Sequence, residues 1–409
     1  SGATTISVGT VKIGAASVGG TNSPLGTTAG ITTVALGARL DLNGFSLGTA
    51  EPLTLNGVGH GLGDFASGAL MNSTGTPVTH TGLITLGSTG ATFALTIGGV
   101  GNGTLSSILG TTTGTLTKIG SGTWTVSGQS TFTGASTIGN GTLKLGASGG
   151  ATNSPLGTTG GATSVMGGAV LDFNGFTLST AEALTINGRG IANGGVIKGS
   201  NGTFSGAITQ GSDSRIVNES GTMTLSGVVG GAFALYISGA GNITRNAAFA
   251  ASALSITKQG SGTFTVTGAN LYTGATRVDA GTFAYAVTTT LVATNLTVNG
   301  GTFNSGANAD TIGTVTLVGG TIANSAALTG TAYTLESGTV SGILAGAIAV
   351  TKNTNNTVNL TGVNTISNTL TINGGTVALS GSGSAVSITA VTVNLGGTLT
   401  LDNTTTAVA

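Results

Sequence analysis

The side chains best suited to proton transfer in this chain are its two histidines, His60 and His80, with Asp64 and Glu51 near the first. An imidazole beside carboxylates has the makings of an acid/base pair. A near copy of the surrounding sequence lies 131 residues downstream, however, and it sets Ile191 opposite His60 and Gly195 opposite Asp64. The pair is therefore not part of the repeated architecture. Enzymes that cleave polysaccharides on β-helices need carboxylates and basic groups clustered at a groove. The eleven acids here are scattered from Asp41 to Asp402 without a cluster in sequence. No catalytic residue is assigned, and the chain reads as a non-enzyme.

The remaining chemical candidates recur. Lys118, Lys258 and Lys352 each open a similar block; a basic row for an anionic glycan is one reading, and solvated corner charges that discourage strand slippage are the preferred one. Asp41-x-Asn43-Gly44 and Asp172-x-Asn174-Gly175 resemble part of a calcium loop but offer few oxygens, so they read as Asx-turns. Neither metal nor cofactor is expected. Trp124, Phe264, Phe132 and Tyr272 hold matching places in their blocks and read as interior stacks rather than sugar platforms. The pairs Thr123/Thr125, Thr131/Thr133 and Thr263/Thr265 are compatible with a water-ordering hydroxyl array, but any lysine-poor β surface carries the same pattern.

These residues sit in an unusual background. The 409 residues include 76 glycines, four prolines, no cysteine and eleven charges of each sign, so the net charge is zero. Charged residues are 5% of the chain against a typical quarter, and the mean hydropathy is +0.41. A neutral surface with one Trp and four Tyr lacks the footprint for phosphate backbones, so nucleic acid is not expected as a partner. Glycine lacks the three-residue period of collagen. The longest apolar runs, such as 343–350, fall well short of the roughly 20 residues of a transmembrane helix. The start at Ser1, without Met or signal, reads as a processed product or an excerpt.

The elements that must position the candidates come from internal periods. A small residue, Thr and an apolar residue recur at Thr104, Thr123 and Thr142, and later from Thr263 through Thr282, Thr302 and Thr321 to Thr398, in steps of about 19 residues. Alternating apolar positions between Gly and Asn punctuation describe short strands and tight turns. The fold expected is an all-β parallel β-helix, a β-solenoid of about twenty rungs forming one elongated domain over 1–409. A longer period gives units of approximately 1–132, 133–272 and a diverged 273–409. Thr21 to Thr28 returns as Thr152 to Thr159, and Glu51 returns as Glu182.

The block Leu116 to Gly128, followed by Phe132-Thr133-Gly134 and Gly141-Thr142-Leu143, returns from Ser255 through Tyr272-Thr273-Gly274 to Gly281-Thr282-Phe283. It resembles the passenger-associated transport repeat, also called the autotransporter-associated β-strand repeat. The residues that carry the resemblance are Lys118, Gly120, Gly122, Thr123, Trp124, Gly134 and Thr142, and in the second copy Lys258, Gly260, Gly262, Thr263, Phe264, Gly274 and Thr282. A looser third copy surrounds Lys352. The resemblance implies a right-handed β-helix exported to a bacterial surface or secreted, and it implies no catalytic activity.

Together these features point to an extracellular structural solenoid, a self-assembling subunit of a filament, sheath or adhesin stalk. Homotypic polymers or bundles are the partners expected, because low charge weakens repulsion between neighbours. The alternatives are a monomeric passenger adhesin that binds a glycan and, further off, a polysaccharide-degrading enzyme.

Overall fold

The computed structural model describes residues 2–402, except 19, 21, 60–67, 88–93, 111–112, 251, 287–294, 308, 381–383 and 386–387. Two compact units, Ser1–Val217 and Asn218–Ala409, make up the chain. Each is a β-solenoid of stacked parallel strands, and together they count about 16 turns of about 21 residues. Among the described residues the one helical element is the short 3-10 turn Ile191–Asn193. No described helix is long and apolar enough to cross a membrane.

The fold follows from alternation. In Thr123–Val126 the threonines are half-buried and face outward while Trp124 and Val126 point in, and the next rung repeats the pattern in Gly141–Leu145. Trp124 pairs with Leu143 and Val126 with Leu145, so like sits on like at the strand spacing of roughly 4.8 Å. In the second unit the same rule stacks Phe264, Phe283 and Phe303 in one inward column. Outside, Thr297, Thr316, Thr334, Thr351, Thr371 and Thr392 form a column through six consecutive rungs. Beside it, Asn394 Nδ2 donates to Asn373 Oδ1 at 2.6 Å and Asn373 Nδ2 to Asn353 Oδ1 at 2.8 Å. Asn353 Nδ2 in turn donates to Glu336 Oε1 at 3.0 Å. Each of these three amides thus helps to set the height of its rung.

Two expectations shift. The average turn is longer than 19 residues because some rungs carry excursions: Trp124 to Leu143 is a step of 19, but Leu143 to Leu171 is a step of 28. That longer rung includes the hairpin of Asn153–Ser154 with Gly157–Thr158, and the earlier Thr21 to Thr28 motif makes the same antiparallel hairpin from Asn22–Ser23 and Gly26–Thr27. Fewer, longer turns then cover the chain. The threonine ladder also slips, since Thr104 faces Thr125 rather than Thr123 and Thr339 faces Asn359 rather than Thr357. At the first slip the indole of Trp124 lies against Gly103 and leaves no room there for a side chain. A Cβ on Gly103 would stand 2.6 Å from Cε3 and Cζ3 of that ring.

Candidate functional site

The lysines end the strands Thr115–Lys118, Ser255–Lys258 and Val350–Lys352. Leu116, Ile256 and Val350 face inward, and strand parity sends the residue two places on to the same side. All three lysines are therefore buried, at 0%, 2% and 0% exposure. This corrects the reading of solvated corner charges, and it also removes these residues from any outer basic row.

Each ammonium sits under a corner of the coil and donates to carbonyls. Lys118 Nζ reaches the oxygens of Ile119 and Gly120 at 2.8 Å and of Asn140 at 3.0 Å. Lys258 Nζ repeats the tripod on Gln259 and Gly260 at 2.7 Å and Ala280 at 3.3 Å. Lys352 Nζ donates to the Thr354 carbonyl, to Thr354 Oγ1 at 3.0 Å and to Gly374 at 3.2 Å. Burial pushes the Lys118 amine down to about 7 and Lys258 to about 8. For Lys352, burial lowers the pKa and the nearby Glu336 opposes it.

The glycines complete the corner. Gly120 and Gly141 have φ of 71° and 66°, and a Cβ on Gly141 would lie 2.8 Å from Lys118 Nζ. Gly260 and Gly281, at 71° and 63°, do the same around Lys258. At Gly122, Gly134, Gly262 and Gly274 a Cβ would overlap backbone oxygens of the rung below. Outside the corner, Thr123 faces Thr142 and Thr263 faces Thr282.

This corner of lysine, paired glycines and flanking threonine strands coincides with the segments that a family model recognises. The passenger-associated-transport-repeat model matches residues 116–145 and 256–284. The chain carries two passenger-associated transport repeats. No curated protein and no solved structure matches it. Passenger repeats of this family mark secreted or surface proteins.

The two passenger repeats solve the same packing problem with different side chains. In the first, Trp124 lies opposite Gly103 and its Nε1 donates to Gly98 O at 3.0 Å. In the second, the smaller Phe264 lies opposite the larger Ile243. Phe132 of the first repeat is an apolar plug, whereas Tyr272 of the second bonds Thr276 Oγ1 at 2.7 Å and Tyr285 Oη at 2.6 Å. All four aromatics, Trp124, Phe132, Phe264 and Tyr272, are 0% exposed, so the interior reading holds and none is a surface platform.

Other candidates resolve just as locally. Asn43 N–H donates to Asp41 Oδ1 at 2.9 Å and Asn174 N–H to Asp172 Oδ1 at 2.8 Å, so both motifs are Asx-turns, with Asn43 and Asn174 at positive φ. His80 is an inward residue of Val78–His80, between Leu47 and Leu105. Burial lowers its pKa to about 4 against an opposing pull from the Gly82 backbone, which leaves a neutral core imidazole at pH 7. His60 and Asp64 lie outside the described residues. Among the described residues no three His, Cys, Asp or Glu side chains gather as a metal site.

One buried constellation was visible in sequence only as a repeat. Glu51 accepts from Thr32 Oγ1 at 2.8 Å and Ser23 Oγ at 3.1 Å. Its counterpart Glu182 accepts from Thr163 Oγ1 and from Ser154 Oγ at 3.4 Å. Each carboxyl pins the base of a hairpin to the coil. Burial, offset by the Thr163 and Ser154 hydroxyls, raises Glu182 to about 7. The shared 131-residue shift of Ser, Thr and Glu was the signal that could have found it.

Proposed function

We propose that this chain is a non-catalytic structural solenoid of the bacterial cell exterior, a self-associating subunit of a surface filament, sheath or stalk. The observation that carries this reading is where the reactive side chains go. Lys118, Lys258, Lys352, Glu51, Glu182, His80 and Arg245 are all buried, and the lysines and glutamates hydrogen-bond to the coil itself. Ionisable groups in these places serve the architecture. The outer faces offer threonine and asparagine columns with little charge, which favours side-by-side association over mutual repulsion.

Sedimentation velocity and negative-stain microscopy of the purified chain test the reading. Polymers or bundles that grow with concentration are expected. Isolated single particles at all concentrations and salts would overturn it.

A further inference from the structure

One face of the first unit departs from this plain surface. Thr123, Thr142 and Val170 form one outward column, and Lys144, Asp172 and Lys198 form the column beside it. The segment that follows Leu184–Gly188 does not turn tightly into the next rung. It makes an excursion in which Gly188, Gly190, Ala192, Asn193 and Gly195 all have positive φ. Ala192 and Asn193 lack the freedom of glycine, so this conformation is held against local strain. Its fixings are Gly194 N–H to Ile191 O and Gly195 N–H to Arg189 O, both at 2.8 Å.

The excursion leans back over the sheet face. Ile191 and Gly194 line a groove of about 340 Å³ together with residues of both columns, including Thr123 two rungs away. That volume falls in the range of small-molecule sites. Charge is concentrated here as well. Lys144, Asp172 and Lys198 line the groove, and Arg189 and Asp213 form an ion pair at 3.5 Å beside it, in a chain with eleven charges of each sign.

We propose that this groove binds a uronic acid residue of an acidic polysaccharide. Lys144, Asp172 and Lys198 stand one per rung as plus, minus, plus, so the column carries a net charge of one. That complements a carboxylate monoanion; a phosphate dianion would exceed the column's charge and face Asp172. The two ammonium groups donate to the sugar carboxylate, and Asp172 accepts from ring hydroxyls. Thr123 and Thr142 add hydroxyls able to donate or accept. Ile191, 45% exposed, offers an apolar surface to the C–H face of the ring, with the nearly buried Val170 lining the groove beneath. The site requires nothing of the assembly proposed above.

Calorimetric titration with trigalacturonate tests it, with maltotriose as the neutral probe and inorganic phosphate as the dianion. Trigalacturonate is expected to bind at up to roughly millimolar Kd and more weakly as salt rises. Lys198→Met and Lys144→Met should each weaken it at least about tenfold, while Arg277→Met, on the second unit, leaves it unchanged. No heat with trigalacturonate would overturn the site. Equal binding of maltotriose, tighter binding of phosphate, or unchanged binding by both Lys198→Met and Lys144→Met would overturn the carboxylate assignment.

Discussion

Replacing Lys118 with Met keeps an unbranched chain out to Cε, with sulfur in place of Cδ, and removes the ammonium. Two effects then oppose. The carbonyls of Ile119, Gly120 and Asn140 lose their donor, at about 1 kcal/mol each toward the low end for a buried acceptor, or about 3 kcal/mol together. Against this, the fold no longer buries a charge, the burden that lowers the amine to about 7. The balance depends on pH, and linkage fixes its sign. The folded pKa lies below the unfolded value of 10.5, so between about 7 and 10.5 the unfolded chain binds more protons and stability rises with pH. Below about 7 both states are protonated and this slope vanishes. The wild-type chain should therefore gain up to roughly 2 to 3 kcal/mol from this lysine between pH 7 and 9, and Lys118→Met should gain none of it. The variant is expected to lie close to wild type at pH 6 and to fall behind by about 2 to 3 kcal/mol at pH 9. Trp124, the single tryptophan, is buried six residues away, so urea unfolding followed by its fluorescence reports on this corner. A difference between the two proteins that stays the same at pH 6 and pH 9 would refute the reasoning.

Three further outcomes follow from the packing. Glu182 has its folded pKa raised from 4.5 to about 7, so its contribution is greatest below about 4.5 and is lost as pH rises through about 7. Because His80 pulls stability the other way between about 4 and 6.5, the readout is the difference in unfolding free energy from urea titrations of wild type and Glu182→Gln, which should shift by about 3 kcal/mol in favour of the variant from pH 4 to pH 8. Gly103→Ala should destabilise the chain by about 1 to 3 kcal/mol through its clash with the indole, and adding Trp124→Phe should recover part of that loss in a double-mutant cycle of thermal melts. Tyr272→Phe should cost about 1 to 2 kcal/mol by stranding Thr276 and Tyr285, with Tyr272→Phe/Tyr285→Phe costing less than the sum of the two single changes in the same assay.

Alternation and repetition made the coil legible, since Thr123-Trp124-Thr125-Val126 declares both its faces in four letters. The inward aromatics and the Asx-turns followed from the same local rules. The lysines did not, although the parity of Leu116 and Lys118 already sent both to one side. Charge type argues for a solvent-facing lysine where strand phase argues for a buried one, and one of the three carbonyls that make the buried ammonium tolerable, that of Asn140, comes from a corner 22 residues later. The groove on the first unit was equally hidden. Lys144, Asp172 and Lys198 are 28 and 26 residues apart, and only register places them in one column. The overhang depends on Ala192 and Asn193 taking backbone angles that no local pattern announces.

The buried lysines also answer a problem that the composition creates. A chain written mostly in Gly, Thr, Ser, Val and Leu pairs almost as well out of register as in it, because any apolar residue stacks acceptably on any other. A one-residue slip is already penalised, since it turns the inward set outward. A two-residue slip keeps the parity and exchanges one aliphatic contact for another, so apolar packing alone resists it weakly. Moved two residues toward the start of the strand, about 7 Å, Lys118 would lie between Leu95 and Ser136 in place of Ile97 and Ile138, and its ammonium would leave the Asn140 oxygen of the neighbouring rung behind. A buried ammonium short of one of its three acceptors costs more than a mismatch of Val with Leu. Gly141 adds a steric condition to the electrostatic one, since no other residue tolerates its φ of 66° with Lys118 Nζ so near. Lysine and glycine together favour the register in which these rungs close, which is why a motif whose lysine is buried recurs at a corner of widely separated coils.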